Sequence, residues 1–519
     1  MQYIEGKNLI KLLAALIFIA GFFAIGAKVR AANYPLEIVF PISAGTGSPA
    51  IPSTHPIFRA YPGISYNIRP HVQGGAYPYS FSLSNAPSGM TINESTGEIN
   101  WVNPQANASN IVLTVTDSEA ASTQSQWSIT VSTSGFLFVN SSYSGTETGS
   151  ITQPFSSVQN MLSNTSAANV NDIVYFRGGS YTAPVFNYSY YLNMGLNLAN
   201  RPSSWIGYPG ETVNIDMQDH YFEAGWLYFD KLNFNNIPDW WCRATSGVNY
   251  VVIRRSQFSD AAAIYRTDNA NQGLYYTSDA GAGYFLTFQD NVIHDFIDVQ
   301  GFGSLYSQNK TLIEDNHFYN FSISVTNGRP IIADKYADTR TTIRHNEIES
   351  SHSSFNPIGH GNNGIFHSSS DIEILFNRIK AVSESASAAW FNNDVSSGGA
   401  EGDTFIYRNT IEGEFVITGL DGSNCSLSGP WNIYDNVIVN AAQAYSPLNI
   451  GHIAYRGGLN SPASCTTQDG NLSGYSSDNI VDSEGNLASG YVDYLGSVGW
   501  QLGESDLIAP TAPGGLAVN

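Results

Sequence analysis

One short pattern of apolar and polar residues recurs seven times along the second half of the chain. Each copy has a few β-prone residues, a polar pair that mostly ends in Asn, one further residue, and then Ile or Phe. The copies are Val252–Phe258, Leu286–Ile293, Leu312–Phe318, Ile343–Ile348, Ile374–Ile379, Phe405–Ile411 and Ile433–Ile438. From Asn291 onward the Asn positions lie 25, 30, 31, 32 and 27 residues apart. A repeat of this length predicts a solenoid, propeller or array, and β-branched and aromatic residues without a helical period predict strands.

The recurring Asn predicts how the copies stack. Asn tolerates the left-handed backbone of a turn, and its side-chain amide can hydrogen-bond the equivalent Asn of the next copy. We therefore predict an asparagine ladder with Asn at the left-handed turn. The predicted fold class is all-β, with a right-handed parallel β-helix (a solenoid) over residues 136–505, preceded by a small immunoglobulin-like (Ig-like) β-sandwich. Equal positions of successive coils then form columns about 4.8 Å apart.

Residues 33–133 carry a different pattern. Alternating segments such as Ile111–Thr116 and Trp127–Val131 predict a small β-sandwich. The stretch Ala86–Ile99 resembles the Ig-like modules of bacterial surface proteins, which are related to cadherins. That resemblance implies a spacer or a weak carbohydrate contact. Asp117 has no acidic cluster around it, so calcium binding of the cadherin type is not predicted.

The two ends of the chain carry sorting and linker patterns. Lys7 and Lys11 precede the apolar run Leu12–Ala27, a pattern that predicts a signal peptide over residues 1–31, or an uncleaved anchor. Either one implies a secreted or cell-surface protein. Residues 508–519 resemble the linker and start of a fibronectin type III module, which implies that the module is truncated.

The segment after the first unit resembles the opening coil of many secreted right-handed β-helix proteins. It has the strand Phe136–Asn140, a Gly-rich loop, a short predicted helix from Ser156 to Leu162, and the strand Asp172–Tyr181. Such a segment would cap the solenoid, because an open end of stacked strands is an unpaired sheet edge.

Charge and cysteine content restrict the partners. A formal net charge of −21 argues against nucleic acid, because no basic stripe is present to contact phosphates. An anionic polymer would need a local Lys/Arg cluster or a cation such as Ca²⁺, although the sequence requires no cofactor.

Cys425 and Cys465 follow successive coils and are candidates for a disulfide in an exported protein. Cys242 is predicted to be a buried apolar residue, and no metal-type cysteine spacing occurs.

Polar residues gather on the strands that precede the ladder strands. We align Ile297–Gly301, Ile331–Lys335, Pro357–Gly361, Trp390–Asp394 and Ile417–Asp421 as columns. The predicted substrate-binding residues are Gln300, Arg329, Trp390, Asn392, Asn393, Asp394 and Asp421. Trp390 is the best candidate for stacking on a sugar ring, because it borders these polar columns.

At these columns the sequence resembles the chondroitinase B and alginate lyase family. The matching segments are Ile331–Lys335, Thr342–Asn346 and Gly359–Asn363. The resemblance implies that Lys335 is the general base and that His360 matches the histidine of the family's Arg-His-Gly-Asn strand. Gly359 stands where the family has the Arg that acts as its general acid. For β-elimination we assign proton abstraction to Lys335, protonation to His360, and charge compensation to Arg329 or Arg344, with Asp334 beside the base.

Two other functions stay open on the sequence. A non-catalytic surface or matrix protein that binds glycan is one, with Lys335 paired to Asp334 or Asp338 on a solvated turn. A glycoside hydrolase built from Asp334, Asp394 and Asp421 is the other. Gly359–Gly361 and Arg378–Lys380 also resemble two signatures of pectin hydrolases, but the sequence has no Asp-Asp pair, so we interpret that similarity as chance.

Overall fold

The structure is a computed structural model. It describes residues 33–47, 51–183, 195–197, 202–217, 221–224, 226–237, 240–244, 250–262, 273–277, 285–297, 302–305, 310–322, 330–334, 340–350, 356–360, 371–380, 387–392, 404–412, 414–418, 431–434, 436–439, 453–456, 466–469 and 472–475. Within these ranges, no helix is long and apolar enough to cross a membrane. The predicted signal segment 1–31 and the C-terminal segment 508–519 lie outside the described residues.

The N-terminal unit is a β-sandwich of short sheets whose strands pair antiparallel, except that Arg59–Ala60 runs parallel to Ser122–Val131. One sheet has the strands Arg59–Ala60, Ser122–Val131, Ala108–Thr116 and Ser80–Ser84, a second has Tyr66–Ile68, Ile99–Trp101 and Met90–Ile92, and a third pairs Glu37–Phe40 with His71–Gln73. A single-turn 3₁₀ helix spans Pro56–Phe58. Alternate residues of the long strands, such as Ile111, Leu113 and Val115, are fully buried, because one face of each strand lies against the other sheets. We call this unit the Ig-like module.

The rest of the described chain winds through three sets of parallel strands. Sheet A contains Phe136–Val139, Ile173–Phe176, Ser204–Gly207, Trp226–Asp230, Tyr250–Arg254, Phe285–Gln289, Thr311–Glu314, Thr341–Arg344, Ile372–Leu375, Thr404–Tyr407, Trp431–Tyr434 and Thr466–Asp469. Sheet B contains Gly179–Thr182, Val213–Asp216, Asn233–Asn235, Gln257–Ala262, Val292–Ile297, His317–Ser322, Glu347–Ser350, Arg378–Lys380, Thr410–Glu412, Val437–Val439 and Leu472–Tyr475. Sheet C comprises Gly195–Asn197, Tyr221–Ala224, Trp240–Ala244 and Gly273–Thr277, and separately Phe302–Leu305, Pro330–Asp334, Asn356–His360, Ser387–Asn392, Glu414–Thr418 and Ile453–Arg456.

The strand order shows how the chain is wound. The first strand of sheet A, Phe136–Val139, is followed by a helix and by the next sheet A strand. After every later sheet A strand the chain forms a sheet B strand and, except after the last, a sheet C strand, and it then returns to sheet A beside the strand it left. Every pairing within these sheets is parallel, as between Thr311–Glu314 and Thr341–Arg344. Each passage is called a winding below. The repeat seen in the sequence is the step from sheet A to sheet B.

The interior of the first windings is filled by aromatic rings. Neighbouring rings lie 5.1 to 6.3 Å apart in the series Phe176, Trp205, Phe229, Phe234, Phe258, Phe288 and Phe318. All of these side chains are buried. Trp205 and Phe229 are register partners on neighbouring strands, as are Phe234 and Phe258, and a spacing of about 4.8 Å lets their rings contact. The contacts of Phe229 with Phe234 and of Phe288 with Phe258 and Phe318 cross the interior between sheets A and B.

The predicted asparagine ladder is confirmed. The side-chain amides of Asn291, Asn316, Asn346, Asn377 and Asn409 each donate to the Oδ1 atom of the next ladder residue, at 2.9 to 3.0 Å, and the series ends at Asn436. The backbone N–H of each donor residue binds the same Oδ1 atom. The ladder residues are buried, so these bonds satisfy polar groups that have no access to water.

One detail of the ladder differs from the prediction. The residue in the left-handed region is the one before each Asn and not Asn itself: Arg255, Asp290, Asp315, His345, Phe376 and Arg408 have φ between 48° and 58°. The left-handed residue makes the bend between sheets A and B. Asn follows it and is then free to direct its amide along the row of windings.

The start of the winding region carries a short helix, as predicted. Helix α1 spans Val158–Ser163, and the Ser157 hydroxyl accepts a hydrogen bond from the N–H of Asn160. Val158, Met161 and Leu162 are buried. This N-cap and its apolar face hold the helix beside the first strands.

The Ig-like module lies on sheet A. All four residues of the strands Thr311–Glu314, Thr341–Arg344 and Ile372–Leu375 are buried, so both faces of sheet A are covered here. In sheet B, by contrast, buried and exposed positions alternate, as in Val213–Asp216. Phe40 and His71 of the module contact Phe285 of sheet A, with ring centroids 5.5 and 6.0 Å apart.

Charged groups fix the module in register with the windings. Arg69 of the module donates to Asp290 at 2.6 Å and to Asp315, and lies 3.5 Å from Glu314. Burial disfavours the ionised carboxylate, but Arg69 and His345 outweigh burial and hold the pKa of Asp315 well below its usual range. One arginine therefore joins two successive left-handed bends of the ladder.

A buried carboxylate near the edge of the module predicts a pH effect. Glu373 is 2% exposed, and burial raises its pKa to about 7, although Arg340 acts in the opposite direction. The folded state holds this proton more tightly than the unfolded state, so the contribution to stability is complete below about pH 4.5 and is lost as pH rises to about 7. The denaturation midpoint of Glu373→Gln should therefore rise relative to that of the wild type as the pH increases from about 4.5 to 7, because Gln has no proton to lose.

The denaturation midpoints should be measured across this pH range for both proteins. Glu94→Gln, at an exposed carboxylate of the module, is the matched control. Two buried histidines act in the opposite sense. Burial lowers the pKa of His55 to about 3 and also lowers that of His71, so they remove stability on acidification. Both histidines are present in the wild type and in Glu373→Gln, so their effect cancels in the difference between the two midpoints. A difference between wild type and Glu373→Gln that does not change with pH would contradict the assignment.

Candidate functional site

The predicted catalytic column falls on sheet C. Asp334 is the last residue of the strand Pro330–Asp334, and His360 is the last residue of the next strand, Asn356–His360. The two residues are direct register partners. Parallel neighbours are about 4.8 Å apart, so the backbone places Asp334 and His360 side by side at the carboxyl ends of adjacent strands.

Other parts of the column alignment are wrong. His360 pairs with Phe391 and not with Asn393, a shift of two residues, and Phe391 in turn pairs with Ile417. The strand before Pro330–Asp334 is Phe302–Leu305, whereas Ile297 ends a strand of sheet B. Connections of unequal length and register irregularities between strands cause these shifts, which residue counting does not detect.

Two predicted substrate-binding residues lie on the following strand. Trp390 pairs with Gly359, and Asn392 pairs with Thr418 on the next winding. Trp390 is therefore one register position away from the Asp334–His360 column. The predicted residues Lys335, Gln300, Arg329, Asn393, Asp394, Asp421, Cys425 and Cys465 lie outside the described residues.

Arg344, predicted to compensate charge at the reaction centre, lies elsewhere. It ends a strand of sheet A, and its side chain is 3% exposed. Its Nε donates to Glu314 at 2.5 Å, its Nη1 donates to the hydroxyl of Tyr79 at 2.9 Å, and its guanidinium lies over the Tyr79 ring. The guanidinium is thus occupied by the junction with the Ig-like module. This geometry does not support the predicted role, and the Arg344–Asn346 part of the family resemblance belongs to the ladder.

Sheet B carries a group of potential ligands that the sequence analysis missed. Among the described residues, atoms of His317, Glu347 and Glu349 lie within 4.8 Å of one another. Burial lowers the pKa of His317, although Glu347 and Glu349 act against burial. The signal was present in the repeat, because His317 and Glu347 both follow a ladder Asn directly.

Cations already balance this group. Arg378 donates to Glu347 and lies 4.0 Å from Glu349, and Lys380 also lies 4.0 Å from Glu349. A histidine with two carboxylates suits a transition-metal ion better than Ca²⁺, but such an ion would have to displace Arg378. We interpret the group as a charge-balanced outer face and assign no metal to it.

Comparisons with known proteins add the following. Residues 48–132 match the family described as "Putative Ig domain", in agreement with the sandwich seen at the N-terminus. No curated protein matches the sequence. Among solved structures, a "Rhamnogalacturonan lyase" aligns with a TM-score of 0.43 and 10% sequence identity, over 70% of this chain and 99% of that chain.

Proposed function

We propose that this chain is an exported carbohydrate-active protein, a polysaccharide lyase that cleaves a uronic-acid-containing polymer by β-elimination. Its winding region would be a right-handed parallel β-helix. The observation that carries the proposal is the register of sheet C, in which Asp334 and His360 end adjacent parallel strands. Parallel windings present equal positions in a row, which suits a polymer that runs along several windings.

The proposed reaction needs a base, an acid and charge compensation. Lys335, the residue after Asp334, takes the proton from the carbon beside the uronate carboxylate. The bond to the glycosidic oxygen one carbon further breaks, and its electron pair leaves with that oxygen. His360 protonates the oxygen, and a carbon–carbon double bond remains in the new sugar end. Because Arg344 is held at the module junction, Arg329 takes the role of compensating charge on the carboxylate.

A non-catalytic glycan-binding protein of the cell surface or matrix is the second candidate. The observation in its favour is Gly359, which stands where the similar lyase family has the Arg that acts as general acid. Gly359 pairs with Ala333 and Trp390 on the neighbouring strands. A protein of this kind would keep Trp390 and the polar columns for binding but would perform no elimination.

Product analysis separates these functions. Purified protein is incubated with alginate, pectate and chondroitin, and three quantities are followed: ultraviolet absorbance of unsaturated sugar ends, new reducing ends, and co-sedimentation with the polymer. A lyase raises the absorbance and the reducing ends together. Reducing ends without absorbance would indicate the hydrolase based on Asp334, Asp394 and Asp421. Co-sedimentation without any product would replace the lyase by the glycan-binding protein.

A further inference from the structure

A cavity of about 180 Å³ lies between the Ig-like module and the first windings of sheet A. Arg59 and Asn67 line it from the module, and Tyr175, Tyr228, Asp230, Lys231 and Arg255 line it from the windings. Cavities at the junction of two units are common positions for small ligands. The space corresponds to about six water molecules at roughly 30 Å³ each, so it can hold one sugar-sized ring but no polymer strand.

Two of the lining cations already have partners. Arg255 donates to both oxygens of Asp230, at 2.7 and 2.5 Å, and to Glu98 at 3.1 Å. Arg59 donates to three backbone carbonyls at the start of the winding region. These groups fix the walls of the cavity and leave little capacity for a ligand.

Lys231 differs from them. It is half-buried, and its ammonium has no hydrogen bond or ion pair with any residue that the structure describes. Burial lowers its pKa, with Arg255 acting in the same direction and Asp230 and Glu98 acting against it. On the neighbouring strand, Arg254 is 1% exposed. Its Nη2 donates to Asn67 at 2.8 Å, and its guanidinium lies 3.6 Å from Glu98 and 3.9 Å from Asp230. Four cations, Arg59, Lys231, Arg254 and Arg255, face two carboxylates, Asp230 and Glu98, so positive charge is in excess here, within a chain whose formal net charge is −21.

The tyrosines supply the rest of the recognition chemistry. Burial raises the pKa of Tyr228 to about 12 and raises that of Tyr175 further, so both hydroxyls keep their protons and can donate near neutral pH. The Tyr175 ring is held by stacking on Phe136 and Phe138, with centroids 6.1 and 5.7 Å away. A lysine that makes no ion pair with the described residues, beside two tyrosine hydroxyls, is suited to a small molecule that carries a carboxylate and several hydroxyls.

We propose that this cavity binds a single hexuronate, with its carboxylate on Lys231 and its hydroxyls on Tyr175 and Tyr228. The site is on sheet A and is separate from the Asp334–His360 column on sheet C. The proposal goes beyond the lyase activity, because binding here does not depend on elimination there. Ligand in the cavity would contact both units and would therefore stabilise the junction of the module with the windings.

Calorimetric titration of the full chain tests the site, with glucuronate and galacturonate as probes and with glucose and acetate as comparators. A hexuronate should bind more tightly than both comparators. Lys231→Gln should weaken binding at least tenfold, because a charge-assisted contact is lost. Lys231→Arg should retain most of the affinity, and Lys380→Gln, at a paired surface lysine of sheet B, should not change it.

Tyr175→Phe keeps the stacked ring, removes only the hydroxyl, and should weaken binding several-fold. It provides a test that does not depend on how well Lys231→Gln folds. Absence of hexuronate binding to the wild type overturns the proposal, as does equal affinity for acetate or for glucose. Unchanged affinity in folded Lys231→Gln also overturns it. None of these results depends on whether the protein eliminates any polymer.

Discussion

Replacing Arg69 by alanine should loosen the Ig-like module from the windings and cost about 3–5 kcal/mol of stability. The substitution leaves the carboxylates of Asp290, Asp315 and Glu314 close together without the cation that now binds them. Arg69 is 6% exposed, so water does not compensate for the lost partner. Chemical denaturation should show the loss, and limited proteolysis between the two units should become faster.

Arg177→Ala is the matched control. Arg177 also pairs with a carboxylate, Glu211, but the two side chains are 38% and 27% exposed, and a pair of this kind contributes about 0–1 kcal/mol. If Arg69→Ala and Arg177→Ala have the same midpoint, the Arg69 cluster does not hold the module. The module would then be the spacer that the sequence resemblance implies.

Asn346→Ala should be the second large loss, of about 3–5 kcal/mol. The Asn346 amide donates to the carbonyls of Ile313 and Arg344 and to Oδ1 of Asn377, each at 2.9 Å. Its own oxygen accepts from the side chain and the backbone of Asn316. Alanine removes these bonds in the middle of the ladder. The Oδ1 atom of Asn377 keeps only the backbone N–H of residue 346, and the buried N–H of Asn316 loses its acceptor.

The comparison for Asn346→Ala is Asn214→Ala. Asn214 also lies on a strand of the windings and bonds a neighbouring asparagine, Asn233, at 3.0 Å, but its side chain is exposed. We expect a change within about 0.5 kcal/mol there. Thermal and chemical denaturation of the two variants, measured side by side, test the ladder. Equal losses would mean that the ladder bonds do not support the windings.

The sequence predicted those features that repeat locally. The ladder was predicted because one Asn recurs at a fixed place in each copy, so its spacing needs no knowledge of the rest of the fold. The strand segments Ile111–Thr116 and Trp127–Val131 fall within the observed strands Ala108–Thr116 and Ser122–Val131 for the same reason. Strict alternation of apolar and polar residues indicates a strand with one buried face.

The candidate site was predicted only in part. Asp334 and His360 aligned correctly because the segments around them are similar and adjacent in the repeat. The next winding was placed two residues out of register. A strand has a period of two residues, so the position of a residue depends on the exact length of each connection.

The junction between module and windings had no local signal. Arg69 and Asp290 are 221 residues apart, and each alone resembles an ordinary surface charge in the sequence. Arg344 was assigned to catalysis for this reason, since nothing near it in the sequence indicates Tyr79 as its partner. Lys231 was missed in the same way, because its cavity exists only where two units meet.

The central claim is that elimination of a uronide depends on Lys335 beside the Asp334–His360 column. The most direct measurement compares the rate at which unsaturated product forms from alginate, pectate and chondroitin with wild type, Lys335→Ala and Lys380→Ala. The account predicts that the wild type cleaves at least one polymer, that Lys335→Ala loses about 100-fold or more, and that Lys380→Ala keeps the full rate. A Lys335→Ala variant as fast as the wild type, or no product from any of the polymers, would contradict it.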